Sequence, residues 1–300
     1  MTPREIIAEA WAITQRERPL HRWGFFSSFF ETLLNLKLIG YQIYFLHASL
    51  IGKEVGFFDD FIWLYYRVPF WLFLTIMITF GLLLVTEFIV PHLAKGAIIG
   101  LTAKSFKKEE LKGGLILALN NFFPMLGTHE LFILSGWATA LTAVSVTLRY
   151  IDGDVKWFIV SCVIGVWTIS NILKFMASFA EPAIVVNRMH VFEAIGKSFK
   201  LIVSHLGHVM FLWVLLMVIS VRILINTALV ILLPGIVVGI ALLLANILSP
   251  IVSYLIAGGV GAILVFIASY YFAYIHVFKE AVWTLTYFEL KKQKDFLVIE

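Results

Sequence analysis

Uninterrupted apolar runs are the feature of this sequence that most restricts its fold. Residues 70–90 and 209–233 contain few polar side chains. Each run is about as long as the roughly 20 residues that a membrane-spanning helix needs, whereas a barrel strand would show about ten residues of alternating polarity. Because hydrocarbon offers the backbone no hydrogen bonds, such runs are stable as helices, which satisfy their own N–H and C=O groups. The sequence therefore predicts an all-α, polytopic transmembrane helical bundle.

Composition excludes an ordinary soluble protein. Apolar residues make up 61% of the 300 residues and charged residues only 14%, whereas soluble domains are about half apolar and a quarter charged. The net charge of +4 does not indicate nucleic-acid binding, and the single cysteine, Cys162, excludes an intramolecular disulfide or a cysteine-based metal cluster. The predicted partner is the lipid bilayer, and no cofactor is predicted.

Six spans are predicted, at about residues 25–50, 69–92, 115–148, 157–180, 208–233 and 251–275. Together they form a six-span transmembrane domain over residues 23–276. The first span is the most polar of the six. The third is long enough to be kinked or broken, and Pro124 and Gly127 are the expected positions.

A shorter apolar segment, residues 237–248, lies between Pro234 and Pro250. Its twelve residues would form about 18 Å of helix, too short to cross a hydrocarbon core of roughly 30 Å. We therefore expect Pro234 to end the fifth span and residues 237–248 to form a half-membrane or interfacial helix.

Both ends of the chain are predicted to be amphipathic. In residues 1–22, the segment Thr2-Pro3-Arg4-Glu5 has the pattern of a capping box with proline at the first helical position. The helix that follows is predicted to lie on the membrane surface, with Trp11 and Trp23 as interfacial anchors. Residues 277–300 are predicted to form a C-terminal cytoplasmic amphipathic tail, in which residues 277–292 continue the sixth span as an amphipathic helix.

The distribution of lysine and arginine predicts the orientation. Of the 23 lysines and arginines, sixteen fall in segments that are cytoplasmic if the N-terminus is inside. Four fall in outer segments, namely Lys53, Arg67, Arg149 and Lys156, and three lie within spans, namely Lys37, Lys174 and Arg222. This bias favours a protein of the cell membrane with both termini in the cytoplasm.

Two cytoplasmic connections resemble each other. Lys104-Ser105-Phe106-Lys107 follows Pro91, and Lys197-Ser198-Phe199-Lys200 follows Pro182 at a similar interval. The last span ends in a comparable way at Lys279-Glu280, without the tetrapeptide. The pattern is typical of a repeat of three helical hairpins. The alternative is that membrane interfaces recruit similar residues by chance.

Ionisable residues near the middle of the spans are the candidates for a binding site, because a charge in hydrocarbon is costly. They are Lys37, Glu130 with its neighbour His129, Lys174 and Arg222, with Asn171 and Asn226 close to the last two. One interpretation is internal pairing, with Glu130 bound to Lys174 or Arg222, and Lys37 bound to Glu31 or extended to an interface. The other is a cavity lined by cations that binds or passes an anionic solute or a lipid headgroup.

Two further functions are open. Lys104, Lys107 and Lys108 at the inner surface would suit a scaffold or accessory subunit that holds anionic lipid or a membrane partner, including a second copy of the chain. His129 and Glu130 would be the residues of an intramembrane enzyme. No catalytic motif supports that second alternative, since the sequence contains no HExxH, P-loop, GxSxG or GxGxxG.

Three segments resemble one family of membrane proteins. They are residues 9–14 with 19–24, residues 181–186 leading to 193–199, and the closing residues 281–292. These are similar to the membrane domain of glycerophosphoryl diester phosphodiesterases and to related six-span bacterial and archaeal proteins. The resemblance implies six spans with the predicted topology. It does not bring an active site, because the phosphodiesterase chemistry of such proteins belongs to a separate soluble domain. Lys174 and Arg222 match no position known from that family.

Overall fold

The computed structural model describes residues 1–52, 56, 58–151 and 153–297, with all their side chains except those of residues 50, 60, 218–231, 233, 234, 250, 251, 254 and 293–297. Within these ranges every regular element is a helix, which confirms the all-α prediction. The helices are α1 Pro3–Arg16, α2 Arg18–Leu50, α3 Asp59–Arg67, α4 Phe70–Phe106, α5 Gly114–Leu131, α6 Trp137–Tyr150, α7 Val155–Met176, α8 Ala180–Asn187, α9 Val191–Ser204, α10 Leu206–Ala245 and α11 Pro250–Leu297.

Three described segments are long and apolar enough to cross a membrane: Phe70–Phe106, Val155–Asn187 and Leu255–Lys292. A fourth is present if Val191–Ser204 and Leu206–Met217, which bend by 97° at their junction, are taken as one span. These helices are compatible with a membrane protein. The number of six spans and the cytoplasmic position of both termini stay predictions.

Helix α1 begins as predicted, but its apolar face is not free for lipid. The Thr2 N–H donates to Glu5 Oε2 at 2.7 Å and the Glu5 N–H donates to Thr2 Oγ1 at 3.4 Å, which completes the capping box. Ile6, Ala10 and Ile13 are fully buried, and α1 packs against α11. The apolar face that suggested a helix lying on the membrane surface is therefore covered by protein.

The end of α11 is more buried than an amphipathic surface helix would be. Residues 277–290 continue α11, as the sequence predicted, but most of their side chains are buried. Thr284 and Thr286 are fully buried because their hydroxyls donate to the carbonyls of Glu280 and Val282 one turn earlier, each at 2.7 Å. A polar side chain that is satisfied by its own helix can be buried on a face that looks exposed in the sequence.

This end of α11 lies in the main hydrophobic core of the described chain, here called the packed core. The packed core is formed by α1, α8, α9, the starts of α2 and α10, the middle of α5 and the ends of α4 and α11. Its largest fully buried side chains include Phe179, Ile98, Ile184, Ile202 and Tyr287. Elsewhere α4, α7 and α11 expose large apolar side chains, as lipid-facing helices do. The chain therefore combines apolar helices with a protein-like core at one end.

The predicted helix breaks are displaced. Helix α5 continues through Pro124 and Gly127, and the interruption comes later, at a 3₁₀ turn over Ile133–Ser135. The Ser135 carbonyl accepts hydrogen bonds from Trp167 Nε1 at 3.1 Å and Asn171 Nδ2 at 3.3 Å. Side chains of α7 thus satisfy the backbone where the third predicted span is broken. The position of a proline does not by itself determine where such a break lies.

Helix α10 differs from its prediction at Pro234. Its backbone is helical from Leu206 to Ala245, so Pro234 does not end it. Gly235–Ala245 is a short apolar segment of this helix, and its position as a half-membrane or interfacial helix stays a prediction. Proline removes a single backbone donor from a helix. Long apolar helices tolerate that loss because neighbouring groups and small local adjustments satisfy the freed carbonyl.

The serines of the two similar connections are both buried, but they have different partners. Ser198 Oγ accepts the N–H of Phe179 at 3.0 Å and donates to the Met176 carbonyl at 2.8 Å, so it closes the junction between α7 and α8. Ser105 Oγ donates to Glu17 Oε1 at 2.9 Å. Both serines are buried. The hairpin partners α2 with α4, α6 with α7, and α10 with α11 pack on each other, while the repeat itself stays a prediction.

Candidate functional site

A partly buried ion-pair triad joins three helices where the apolar segments meet the packed core. Lys95 Nζ on α4 lies 2.7 Å from Glu181 Oε2 on α8 and 3.7 Å from Glu280 Oε1 on α11. It also donates to Glu181 Oε1 at 2.8 Å. The exposed fractions of the three side chains are 26%, 18% and 9%. One lysine therefore faces two carboxylates, and the triad carries a formal charge of −1.

Counting along the helices gives the depth of the triad. Lys95 follows the exposed Trp71 by 24 residues, and Glu181 follows the exposed Trp157 by the same number. At 1.5 Å per helical residue, 24 residues correspond to about 36 Å, more than the roughly 30 Å of a hydrocarbon core. Tryptophan side chains prefer the membrane–water interface. If both tryptophans lie at one membrane–water interface, the triad lies at the opposite interface.

Three exposed charges lie near the triad, on α2, α7 and α11. Helix α8 packs on α11, whereas α7 packs on α6 and α9. Lys174 on α7 has Lys95 and Glu181 of the triad, Lys279 on α11 and Glu31 on α2 among its charged neighbours. We call the region of Glu31, Lys174 and Lys279 the α7–α11 cleft. None of these three side chains forms an ion pair with another described residue.

Lys37 is not part of this cleft, and its predicted partner is wrong. It binds Glu87 on α4, not Glu31, with 2.6 Å between Lys37 Nζ and Glu87 Oε1. Its ammonium also lies 5.4 Å from the centre of the Phe80 ring. Glu87 is fully buried, so this pair neutralises a charge between α2 and α4. Lys37 is thereby committed to another side chain and is not free to bind a ligand.

Glu130 does not pair with Lys174, which of its two predicted partners is the one whose side chain the structure describes. Its carboxylate lies 3.3 Å from Nδ1 of its neighbour His129, and both side chains are about half exposed. No ion pair joins Glu130 to Lys174. The ring of His129 packs edge-on against His92, with 4.5 Å between ring centroids. Among the described residues, no group of three histidine, cysteine or acidic side chains is placed to hold a metal ion.

Three predicted site residues remain: Asn171, Arg222 and Asn226. Only the side chain of Asn171 is described, and it has a structural role. Asn171 donates to the carbonyls of Ser135 and Trp167 and so holds the break in the third predicted span. The side chains of Arg222 and Asn226 lie outside the described residues.

The predicted interface residues lie around the packed core. Lys104 Nζ donates to the Lys112 carbonyl at 2.8 Å, and Lys107 Nζ lies 5.6 Å from the ring centre of Phe288. Lys108 is exposed just beyond the end of α4. Trp11 packs edge-on against Phe278, and Trp23 is partly buried against the packed core.

Sequence reasoning missed the triad and Lys279 as site residues. The sequence does place charged residues at the ends of two predicted spans. Glu181 precedes Pro182 at the end of the fourth span, and Glu280 follows Lys279 at the end of the last span. The sequence also shows Lys95 four residues after Pro91. The sequence does not show that Lys95, Glu181 and Glu280 meet, because their contact depends on which helices pack together.

Comparison with protein-family models, with curated proteins and with solved structures finds no match to this chain.

Proposed function

We propose that this chain is a six-span protein of the cell membrane that binds a phosphate-bearing ligand, either a lipid headgroup or a free solute, at the α7–α11 cleft. The observation that carries the proposal is the pair of exposed lysines, Lys174 and Lys279, which lie within electrostatic range of each other and form no ion pair among the described residues. Two like charges near hydrocarbon are costly unless an anion or water compensates them. A phosphate placed between them would accept charge-assisted hydrogen bonds from both ammonium groups.

The depth of the cleft supports a lipid headgroup as one source of that phosphate. Lys174 follows Trp157 by 17 residues, or roughly 26 Å of helix. The long lysine side chain can reach the nearby interface from that depth. Of the three span cations that suggested a cavity, Lys37 is neutralised by Glu87, so this proposal assigns binding to Lys174 together with Lys279. Membership in the family of phosphodiesterase membrane domains also remains a proposal, supported by the resemblance of short segments.

The proposed arrangement has both termini in the cytoplasm. The spans are α2, α4, α5 with α6, α7, α10 and α11, and the distribution of sixteen inner against four outer lysines and arginines supports their direction. In a Cys162→Ser background, we expect a membrane-impermeant maleimide to label Lys156→Cys on intact cells. Lys112→Cys and Lys200→Cys should be labelled only after the membrane is opened. Labelling of Lys200→Cys on intact cells would contradict this topology.

Ligand binding at the cleft is tested with Lys174→Gln and Lys279→Gln. We expect each change to weaken binding of phosphatidylglycerol to the detergent-purified full chain about tenfold, since a hydrogen bond to a charged group contributes about 1.5 kcal/mol or more. Lys200→Gln is the matched control, because Lys200 is equally exposed but lies on α9. Affinity is measured by competition against a fluorescent phosphatidylglycerol.

Inorganic phosphate as competitor separates the two sources of the ligand. Displacement of the probe by phosphate at similar concentration indicates a free solute, and displacement by lipid alone indicates a headgroup site. Unchanged binding in both variants would overturn the cleft as the site. If binding were instead lost on removing the charges of Lys104, Lys107 and Lys108, the inner-surface scaffold would be the better function.

A further inference from the structure

Helix α9 runs almost at right angles to the helix that follows it. The segments Val191–Ser204 and Leu206–Met217 meet at a bend of 97°. In the proposed topology α10 crosses the membrane, so α9 lies nearly parallel to the membrane plane, with the start of α10 at its C-terminal end. Amphipathic helices in this orientation occur at membrane–water interfaces, where one side contacts the acyl chains and another contacts water.

A hydrogen-bonded contact with the end of α7 gives the depth of α9. Ser198 Oγ on α9 donates to the Met176 carbonyl at 2.8 Å and accepts the N–H of Phe179 at 3.0 Å. Met176 follows the exposed Trp157 by 19 residues, or roughly 28 Å of helix, which is close to the roughly 30 Å of a hydrocarbon core. If Trp157 lies at one membrane–water interface, as tryptophan side chains prefer, α9 lies at the opposite interface.

Protein covers only part of the apolar surface of α9. Ala194, Leu201 and Ile202 are buried in the packed core. Phe192 and Val203 are 78% and 65% exposed. They are eleven residues apart, or about three helical turns, so they lie on one line along the helix. We call this line the free apolar edge of α9.

The charged side chains of α9 lie on a different edge of the helix. Glu193 follows Phe192 by one residue and Lys200 follows it by eight, and both are exposed. Each is therefore about a quarter turn around the helix axis from the free apolar edge. Helix α9 thus has a side in the packed core, an apolar edge and a charged edge. A helix at the periphery of a membrane protein has three matching surroundings, namely protein, acyl chains and water.

Exposed apolar side chains continue beyond the bend. Leu206, Met210 and Val214 are exposed at the start of α10, and their spacing of four residues places them on one face of that helix. Val203 precedes Leu206 by three residues, so exposed apolar side chains lie on both sides of the bend. The part on α10 faces lipid in the proposed topology, and the part on α9 meets the same bilayer at its surface.

We infer that α9 is an in-plane interfacial helix whose free apolar edge, Phe192 and Val203, inserts into the cytoplasmic leaflet of the membrane while Glu193 and Lys200 face water. The inference rests on the proposed topology, because α9 lies in the membrane plane only if α10 spans the membrane. The partner is the phospholipid surface itself, bound through burial of apolar area. This surface is separate from the phosphate site proposed at the α7–α11 cleft.

Spin labels on single cysteines test the inference in the full chain, reconstituted in bilayers of phosphatidylethanolamine and phosphatidylglycerol. Phe192→Cys, Val203→Cys and the matched control Glu193→Cys are made in the Cys162→Ser background. Collision of each label with oxygen, which concentrates in hydrocarbon, is compared with collision with a water-soluble nickel chelate. We expect the labels at Phe192 and Val203 to lie about 5–10 Å deeper than the label at Glu193. All three side chains are exposed, so the changes should leave the fold intact.

Val214→Cys separates a failure of the inference from a failure of the proposed topology. Val214 follows Leu206 by eight residues, or about 12 Å of helix, so its label should be the deepest. If that label lies in hydrocarbon but those at Phe192 and Val203 are as open to nickel as the control, the inference is overturned and the topology stands. Nickel access at Val214 overturns the topology and the inference with it. Shielding of Phe192 and Val203 from both reagents would place another protein chain on the edge, which also overturns the inference.

Discussion

Replacing Lys95 by methionine is expected to lower the free energy of unfolding by about 3–5 kcal/mol, the cost of leaving buried charge unpaired. The change removes the one cation between Glu181 and Glu280, whose side chains are 18% and 9% exposed. Two carboxylates would then face each other without compensation at the junction of α4, α8 and α11. Unfolding by denaturant in detergent, followed by helical circular dichroism, measures the loss.

A matched set of variants separates charge from side-chain packing. In Lys95→Met with Glu181→Gln and Glu280→Gln, no buried charge remains, so we expect most of the lost stability to return. Lys200→Met removes an exposed lysine from α9 and should change stability by less than about 0.5 kcal/mol. If the Lys95→Met variant is as stable as the unmodified protein, the triad is solvated and the expected result is wrong.

Truncation of Leu285 to alanine is expected to destabilise the protein by about 2–5 kcal/mol, the usual range for a buried leucine. Leu285 is fully buried in the segment that the sequence presents as an amphipathic tail. A surface tail would tolerate the same change within about 0.5 kcal/mol. The measurement therefore decides between a tail and a core helix.

Leu255→Ala is the control on the same helix. Leu255 is 71% exposed, whereas Leu285 is 0% exposed, so the chemical change is identical and only the surroundings differ. We expect Leu255→Ala to leave the denaturant midpoint nearly unchanged. Equal effects of the two truncations would contradict the division of α11 into a lipid-facing half and a half inside the packed core.

Local patterns of the sequence predicted local structure well. The capping box at Thr2 and Glu5 depends on residues three apart and is present. The helical class depends on the length and composition of apolar runs, and the structure confirms it. Both properties involve neighbouring residues only, because helical hydrogen bonds and caps link groups within about one turn.

Partners of buried charges were not predictable in the same way. Lys37 pairs with Glu87, not with the nearby Glu31, and Lys95 pairs with residues on two helices that follow much later in the chain. Position along a helix gives depth, but neither the direction of a side chain around the axis nor the identity of the neighbouring helix. The same limit applies to Asn171. Its side chain was predicted to lie near a cation, but it donates to the Ser135 carbonyl at the helix break.

The sequence by itself determined that the chain forms long apolar helices with a biased distribution of basic residues, since apolar runs and charge counts are properties of composition and order. Only the tertiary structure decided that the end of α11 is a core helix, that Lys37 is neutralised, and that Lys174 has Lys279 and Glu31 of two other helices as charged neighbours. The physical reason is that burial and pairing are set by which helix faces meet. Those contacts join residues far apart in the chain, so no single segment determines them.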